Sequence, residues 1–179
     1  MIYDSYCGAF DFYFLGGIMD FFQAIESCFK KYATFSGRAS RSEYWFFVLF
    51  RFITGVIATL LDKTALQDYT FTYHIGNKVE EAGLMGIILG VVLFMPGVAV
   101  LFRRLHDINK SGWWIAGIMV YTFLAGCISG LALFFHLAYV QMFVAVAIII
   151  PFLLLLYWLV KKGTPGDNRF GPDPLAVKP

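Results

Sequence analysis

The sequence predicts an all-α integral membrane fold, a bundle of four transmembrane helices with polar motifs at one face. Of 179 residues, 59% are hydrophobic and 15% charged, and the mean hydropathy is +0.70, outside the balance of a soluble domain. Four apolar segments reach the roughly 20 residues that a helix needs to cross a bilayer core. The basic residues gather at the ends of those segments that alternate crossing brings to one side.

The first residues carry Asp4 and Asp11 instead of a basic n-region, so no cleaved secretory signal is expected. The run CGAFDFYFLGGIMDFF is broken by aspartates and a glycine pair, which suits an interfacial or loosely ordered segment better than a span. Met19 offers an alternative start, with Met1–Ile18 as an extension. The membrane domain is then 19–162, followed by a tail over 163–179.

Span one is expected over Glu43–Leu61. It opens on Ser40-Arg41-Ser42-Glu43, the pattern of a capping box in which Ser40 and Glu43 satisfy free amides, and Tyr44 and Trp45 suit the headgroup level. Span two is read over Ala82–Phe102, span three over Trp113–Leu133 and span four over Gln141–Val160. Gly83, Gly86, Gly90 and Gly97 in span two, and Gly126 and Gly130 in span three, are expected to admit close helix neighbours. Pro96 and Pro151 each remove an amide donor and are expected to kink their helices.

Eleven basic residues fall on one side: Lys30, Lys31, Arg38 and Arg41 before span one, Arg103, Arg104 and Lys110 between spans two and three, and Lys161, Lys162, Arg169 and Lys178 after span four. The other side has Lys63 and Lys78, in a loop with Asp62, Asp68, Glu80 and Glu81. This bias puts both termini in the cytoplasm. The net charge of +2 and the lack of a nucleic-acid motif give no reason to expect DNA or RNA as partner. Cys7, Cys28 and Cys127 have neither metal-ligand spacing nor an even count, so inert thiols, no metal and no cofactor are expected.

Arg51 is the formally charged residue well inside a span, about 12 Å of helix beyond Glu43. Two dispositions are open. Its side chain can snorkel toward the helix N-terminus, or it can face the bundle along the stripe of Gly55 and Ala58 and form the floor of a cavity.

Three polar segments converge on the predicted cytoplasmic face: FSGRASRSEYW at Phe35–Trp45, RRLHDINKSGWW at Arg103–Trp114, and KGTPGDNRFGPDP at Lys162–Pro174. Around four hydrophobic spans, these motifs closely resemble the bacterial domain-of-unknown-function 805 family of inner-membrane proteins, from about Met19 to Pro174. The residues that carry the resemblance are Phe35, Gly37, Arg38, Arg41, Glu43 and Trp45; Arg103 to Asp107 with Ser111 to Trp114; and Gly163, Gly166 and Asn168 to Pro174. The resemblance implies a bacterial inner membrane and no established activity.

Physical logic applies to each motif. Arg103 and Arg104 end span two, where the helix dipole favours cations, and Asp107 is spaced to pair with Arg103. Asp107-Ile-Asn-Lys-Ser-Gly supplies turn residues, and Trp113 and Trp114 suit an interface. Gly163 is placed to end span four, and Pro165-Gly166 and Gly171-Pro172 to make an ordered cap around Asn168 and Arg169.

Two uses of these charges stay open: a structural salt-bridge clamp, or an anion pocket in which Arg38, Arg41, Arg103, Arg104 and Arg169 hold phosphate or carboxylate beside His106, Asp107 and the tryptophans. His106 has a pKa suited to acid–base work, but no activated nucleophile, carboxylate dyad or metal-binding histidine spacing accompanies it. The chain is therefore read as a non-enzymatic membrane protein whose basic face binds an anionic lipid headgroup, a ligand or a membrane-protein partner, with homo-oligomers allowed. The alternatives are a small transporter or channel component that uses Arg51 in a cavity, and a membrane enzyme acting on phosphorylated or lipid substrate.

Overall fold

A computed structural model describes residues 20–75 and 78–176; the expected extension Met1–Ile18, Met19 and Lys178 lie outside the described residues. The first element, α1 (Phe21–Lys30), was hidden in the sequence because it is far too short to span. Its apolar residues recur at Phe21, Ala24, Ile25, Cys28 and Phe29, the spacing of an amphipathic helix, and Asp20 with Gln23 closes a capping box at its start. Ala24 and Cys28 are fully buried, and Phe29 meets the edges of Phe47 and Phe50.

The four spans are α2 (Arg41–Thr64), α3 (Leu84–Asp107), α4 (Trp113–Phe134) and α5 (Ala138–Val160). Each contains or closely overlaps its expected segment, and α3 continues helically through Arg103–Asp107. Only 11–22% of each apolar window is buried within the protein, so most of each span's apolar surface faces outward, as a bilayer allows. α2 packs on α3 with α1 across both, and α4 packs on α5, which also touches α3.

Between α2 and α3 the chain adds a β-hairpin that the all-helical expectation omitted. After a 3₁₀ turn at Gln67–Tyr69, β1 (Thr70–Ile75) pairs antiparallel with β2 (Lys78–Gly83), with Thr70 opposite Gly83 and Ile75 opposite Lys78. The cue was Gly76-Asn77 between two strand-length runs, the first rich in Thr and aromatic residues. The three motifs lie at the opposite end of the bundle from this hairpin.

The hairpin delivers the chain to the start of α3, where Gly83 supplies no side-chain cap. Asp62, near the end of α2, caps it instead: its two carboxylate oxygens accept from Met85 N and Gly86 N, both at 2.9 Å. A carboxylate is favoured at a helix N-terminus, and a Cβ on Gly83 would overlap this one. Close approach at the glycines therefore differs from the expectation. Gly83 makes room for Asp62 and Gly97 for Arg51, whereas Gly90, Gly126 and Gly130 face open space.

Both prolines lie inside unbroken helices, and each frees the carbonyl four residues earlier. An orphan carbonyl is costly in hydrocarbon, and a tyrosine answers each one. Tyr32 Oη donates to Val92 O at 2.6 Å, opposite the missing amide of Pro96; Tyr121 Oη on α4 donates to Ala147 O at 3.2 Å, opposite that of Pro151.

This pairing predicts a coupling. Tyr121→Phe should lower stability by about 0.6–1.7 kcal/mol, the range of hydrogen bonds inside membranes. In a Pro151→Ala background the helix amide recovers the carbonyl, and the same substitution should cost little. Thermal denaturation in detergent across the four variants measures the difference.

Candidate functional site

The motifs assemble because the segment after α1 climbs along the end of α3. Ala39 N donates to Arg103 O at 3.0 Å, Phe35 meets Phe102 edge-on, and Gly37 bends the chain at φ 84°, a left-handed conformation that favours glycine. Arg38 is thereby driven inward against Asp107.

Asp107 is the hub. Its carboxylate accepts from Arg38 Nε at 3.0 Å and is also held by Arg104 Nη1, with all three side chains at most 5% exposed. Its backbone carbonyl accepts from both Thr164 N and Thr164 Oγ1 at 2.9 Å. The expected partner was Arg103, but helix geometry offers Arg104 three residues back, and Arg103 turns elsewhere.

Arg38 donates its remaining nitrogens to the tail, Nη1 to Gly166 O at 2.5 Å and Nη2 to Thr164 O at 2.6 Å. Arg104 caps the end of α5, with Nε on Leu159 O at 3.1 Å and Nη2 on Lys161 O. The helix thus stops at Val160, before the expected Gly163. Gly163 has another reason to be glycine: a Cβ there would overlap the Asp107 carboxylate.

The tail is ordered around this hub. Asn168 Nδ2 donates to His106 O and Thr164 Oγ1, while Asn168 and Gly171 exchange backbone hydrogen bonds between positive-φ turns at Gly166 and Gly171. Phe170 stacks flat on His106, with centroids 3.9 Å apart, and His106 Nδ1 lies 3.1 Å from Gly37 O. Asp173 accepts from Leu175 N and Gly166 N; these hydrogen bonds, the Leu175 one foremost, hold its carboxyl below the usual carboxylate range.

A second centre lies deeper. Glu43 accepts from Arg103 Nη1 at 2.7 Å and from Ser27 Oγ at 3.1 Å, and it is 1% exposed. The expected capping box on α2 is therefore half formed: Ser40 Oγ accepts from Glu43 N, but the Glu43 carboxylate is engaged by Arg103. Among the described residues, Nε and Nη2 of Arg103 have no hydrogen-bond partner. Cys28 beside it is pushed up to about 12, by burial first and by the Glu43 charge second.

Arg41, Trp45, Trp113, Trp114 and Arg169 lie outside both centres and are exposed. Arg169 rests on the Phe170 ring and donates to Asn109 O at 3.2 Å. His106 and Trp113 also border a pocket of about 250 Å³ with Phe102, Ser111, Gly112 and Ala116. Arg51 joins neither centre; its guanidinium lies against Gly97, with the Tyr44 phenol within electrostatic reach of both Arg51 and Arg104. Sequence reasoning missed Ser27, Cys28 and Thr164; the amphipathic pattern of α1 could have found Cys28, while nothing local marks Ser27 or Thr164.

Chemically, every nitrogen of Arg38 and Arg104 is engaged by protein acceptors. The arrangement locks two helix ends and two flanking segments together. Asp107→Asn leaves the hub charges unpaired and should cost about 3–5 kcal/mol. It should also open the 163–176 tail to limited proteolysis, which serves as the readout. Cys28 should resist maleimide at pH 8 in the folded protein and react once denatured, as mass spectrometry would register.

Comparison with known proteins places these motifs in context. The family model described as a protein of unknown function (DUF805) matches residues 32–172. The chain is 33% identical over 148 residues to the inner membrane protein YhaH of Escherichia coli K12, covering 81% of this chain and 90% of that protein. It is 30% identical over 148 residues to the inner membrane protein YhaI of the same strain, covering 83% and 92%. No solved structure matches the chain.

Proposed function

The chain belongs to the DUF805 family of proteins of unknown function, and from that premise we propose a non-catalytic inner-membrane protein whose motif end faces the cytoplasm and binds anionic lipid headgroups. The observation that carries this reading is a division among the cations. Arg38, Arg103 and Arg104 are buried with Glu43 and Asp107, while Arg41, Lys161, Lys162 and Arg169 stand exposed and in no ion pair among the described residues. Asp167 and Asp173 accept backbone amides within the tail.

Exposed cations at a membrane surface each gain about 1 kcal/mol from anionic lipid. Trp45, Trp113 and Trp114 are exposed aromatics of the kind that anchors at headgroup depth. The clamp supports a binding role over a catalytic one: Asp107 is saturated by arginines, and the His106 ring is stacked and engaged with Gly37 O.

In nanodiscs, replacing part of a zwitterionic lipid with phosphatidylglycerol should raise the thermal midpoint, and salt should diminish the rise. The triple variant Arg41→Glu, Lys161→Glu, Lys162→Glu should fold but lose that response. A wild-type midpoint indifferent to anionic lipid would sink the proposal.

A further inference from the structure

Arg51 sits on α2 about 12 Å of helix beyond Glu43, and its guanidinium reaches sideways to α3. A Cβ on Gly97 would come within 2.6 Å of Arg51 Nη1, so the glycine leaves the notch into which the guanidinium fits. Gly97 lies six residues before Arg103, about 9 Å deeper than the Arg103–Glu43 pair. The charge therefore stays within the span instead of rising to the motif end.

Among the described residues, no carboxylate forms an ion pair with it, and the Tyr44 phenol lies within its electrostatic reach. It borders a shallow, open groove on the exposed face of α2, formed by Arg51, Phe52, Gly55, Val56, Thr59 and Leu60. The groove follows about 13 Å of α2, and a Cβ on Gly55 would meet none of the described residues within 4 Å. Thr59 Oγ1 is already bonded to Gly55 O, which leaves the floor apolar.

An arginine with no acid beside it is costly at this depth, and an anionic occupant relieves that cost. We infer that the groove binds a long-chain carboxylate, with its acid group on Arg51 and its alkyl chain along Gly55 and Thr59. A carboxylate matches the guanidinium fork with two oxygens and brings no other polar group. A glycerophospholipid would bring its glycerol and headgroup into a groove that offers them no partners. A second copy docked groove to groove would bring another Arg51 and no acid.

The test uses the full chain in zwitterionic nanodiscs incubated with radiolabelled palmitate, with empty discs as background. The wild type should retain close to one palmitate per chain. Arg51→Gln should weaken retention at least tenfold, and Gly55→Leu, which fills the groove and keeps the charge, should weaken it similarly. Hexadecanol, the neutral analogue, should fail to compete against the wild type.

Retention no higher than in empty discs, equal retention by Arg51→Gln, or competition by hexadecanol would each overturn the inference. Stronger competition by lysophosphatidylglycerol than by unlabelled palmitate would give the groove to a phospholipid. A crosslink from Thr59→Cys to a second copy, or to the chain's own first eighteen residues, with no acid bound, would give it to protein.

Discussion

The motif end depends on one carboxylate. Asp107 accepts from two buried arginines that arrive from different parts of the chain, and its backbone carbonyl anchors the tail through Thr164. With Glu43 it faces three buried arginines, so the buried set carries an excess positive charge. Carbonyls at the end of α5 and in the tail receive the remaining hydrogen bonds of Arg38 and Arg104, and a helix C-terminus is where cations are favoured. A buried ion pair alone is weak support for a fold, because desolvation offsets its attraction. Here the neighbouring carbonyls make the arrangement workable.

The rest of the molecule obeys a different constraint. Lipid gives little hydrophobic drive for one helix to seek another, so packing and satisfied backbone groups must specify the arrangement. Tyr32 and Tyr121 meet the carbonyls that prolines leave open, tying the segment after α1 to α3 and α4 to α5. Asp62 does the corresponding work at the hairpin end, joining α2 to the first amides of α3. Each contact is local, yet each fixes a pair of elements.

The spans were legible because twenty apolar residues leave a helix little alternative, and the motifs were legible as turns and charges. Partner choice was not. Arg103 and Arg104 are adjacent, and helical rotation alone sends one to Glu43 and the other to Asp107. The capping pattern at Ser40 and Glu43 misled in part because a buried arginine competes for the same carboxylate. α1 went unseen because its amphipathic pattern covers only ten residues. The glycines misled because the same residue type serves a side-chain notch at Gly97 and open helix surface at Gly126.

The clamp also has a direction in time. Arg38 finds its last two acceptors at Thr164 and Gly166, separated from it by 126 and 128 positions in the chain. A ribosome releases those residues only after all four spans have been made. Until then Arg38 and Arg104 are without the tail and α5 carbonyls that let them be buried, and solvent must serve in their place. The motif end can thus be completed only after the last span and the tail have been made.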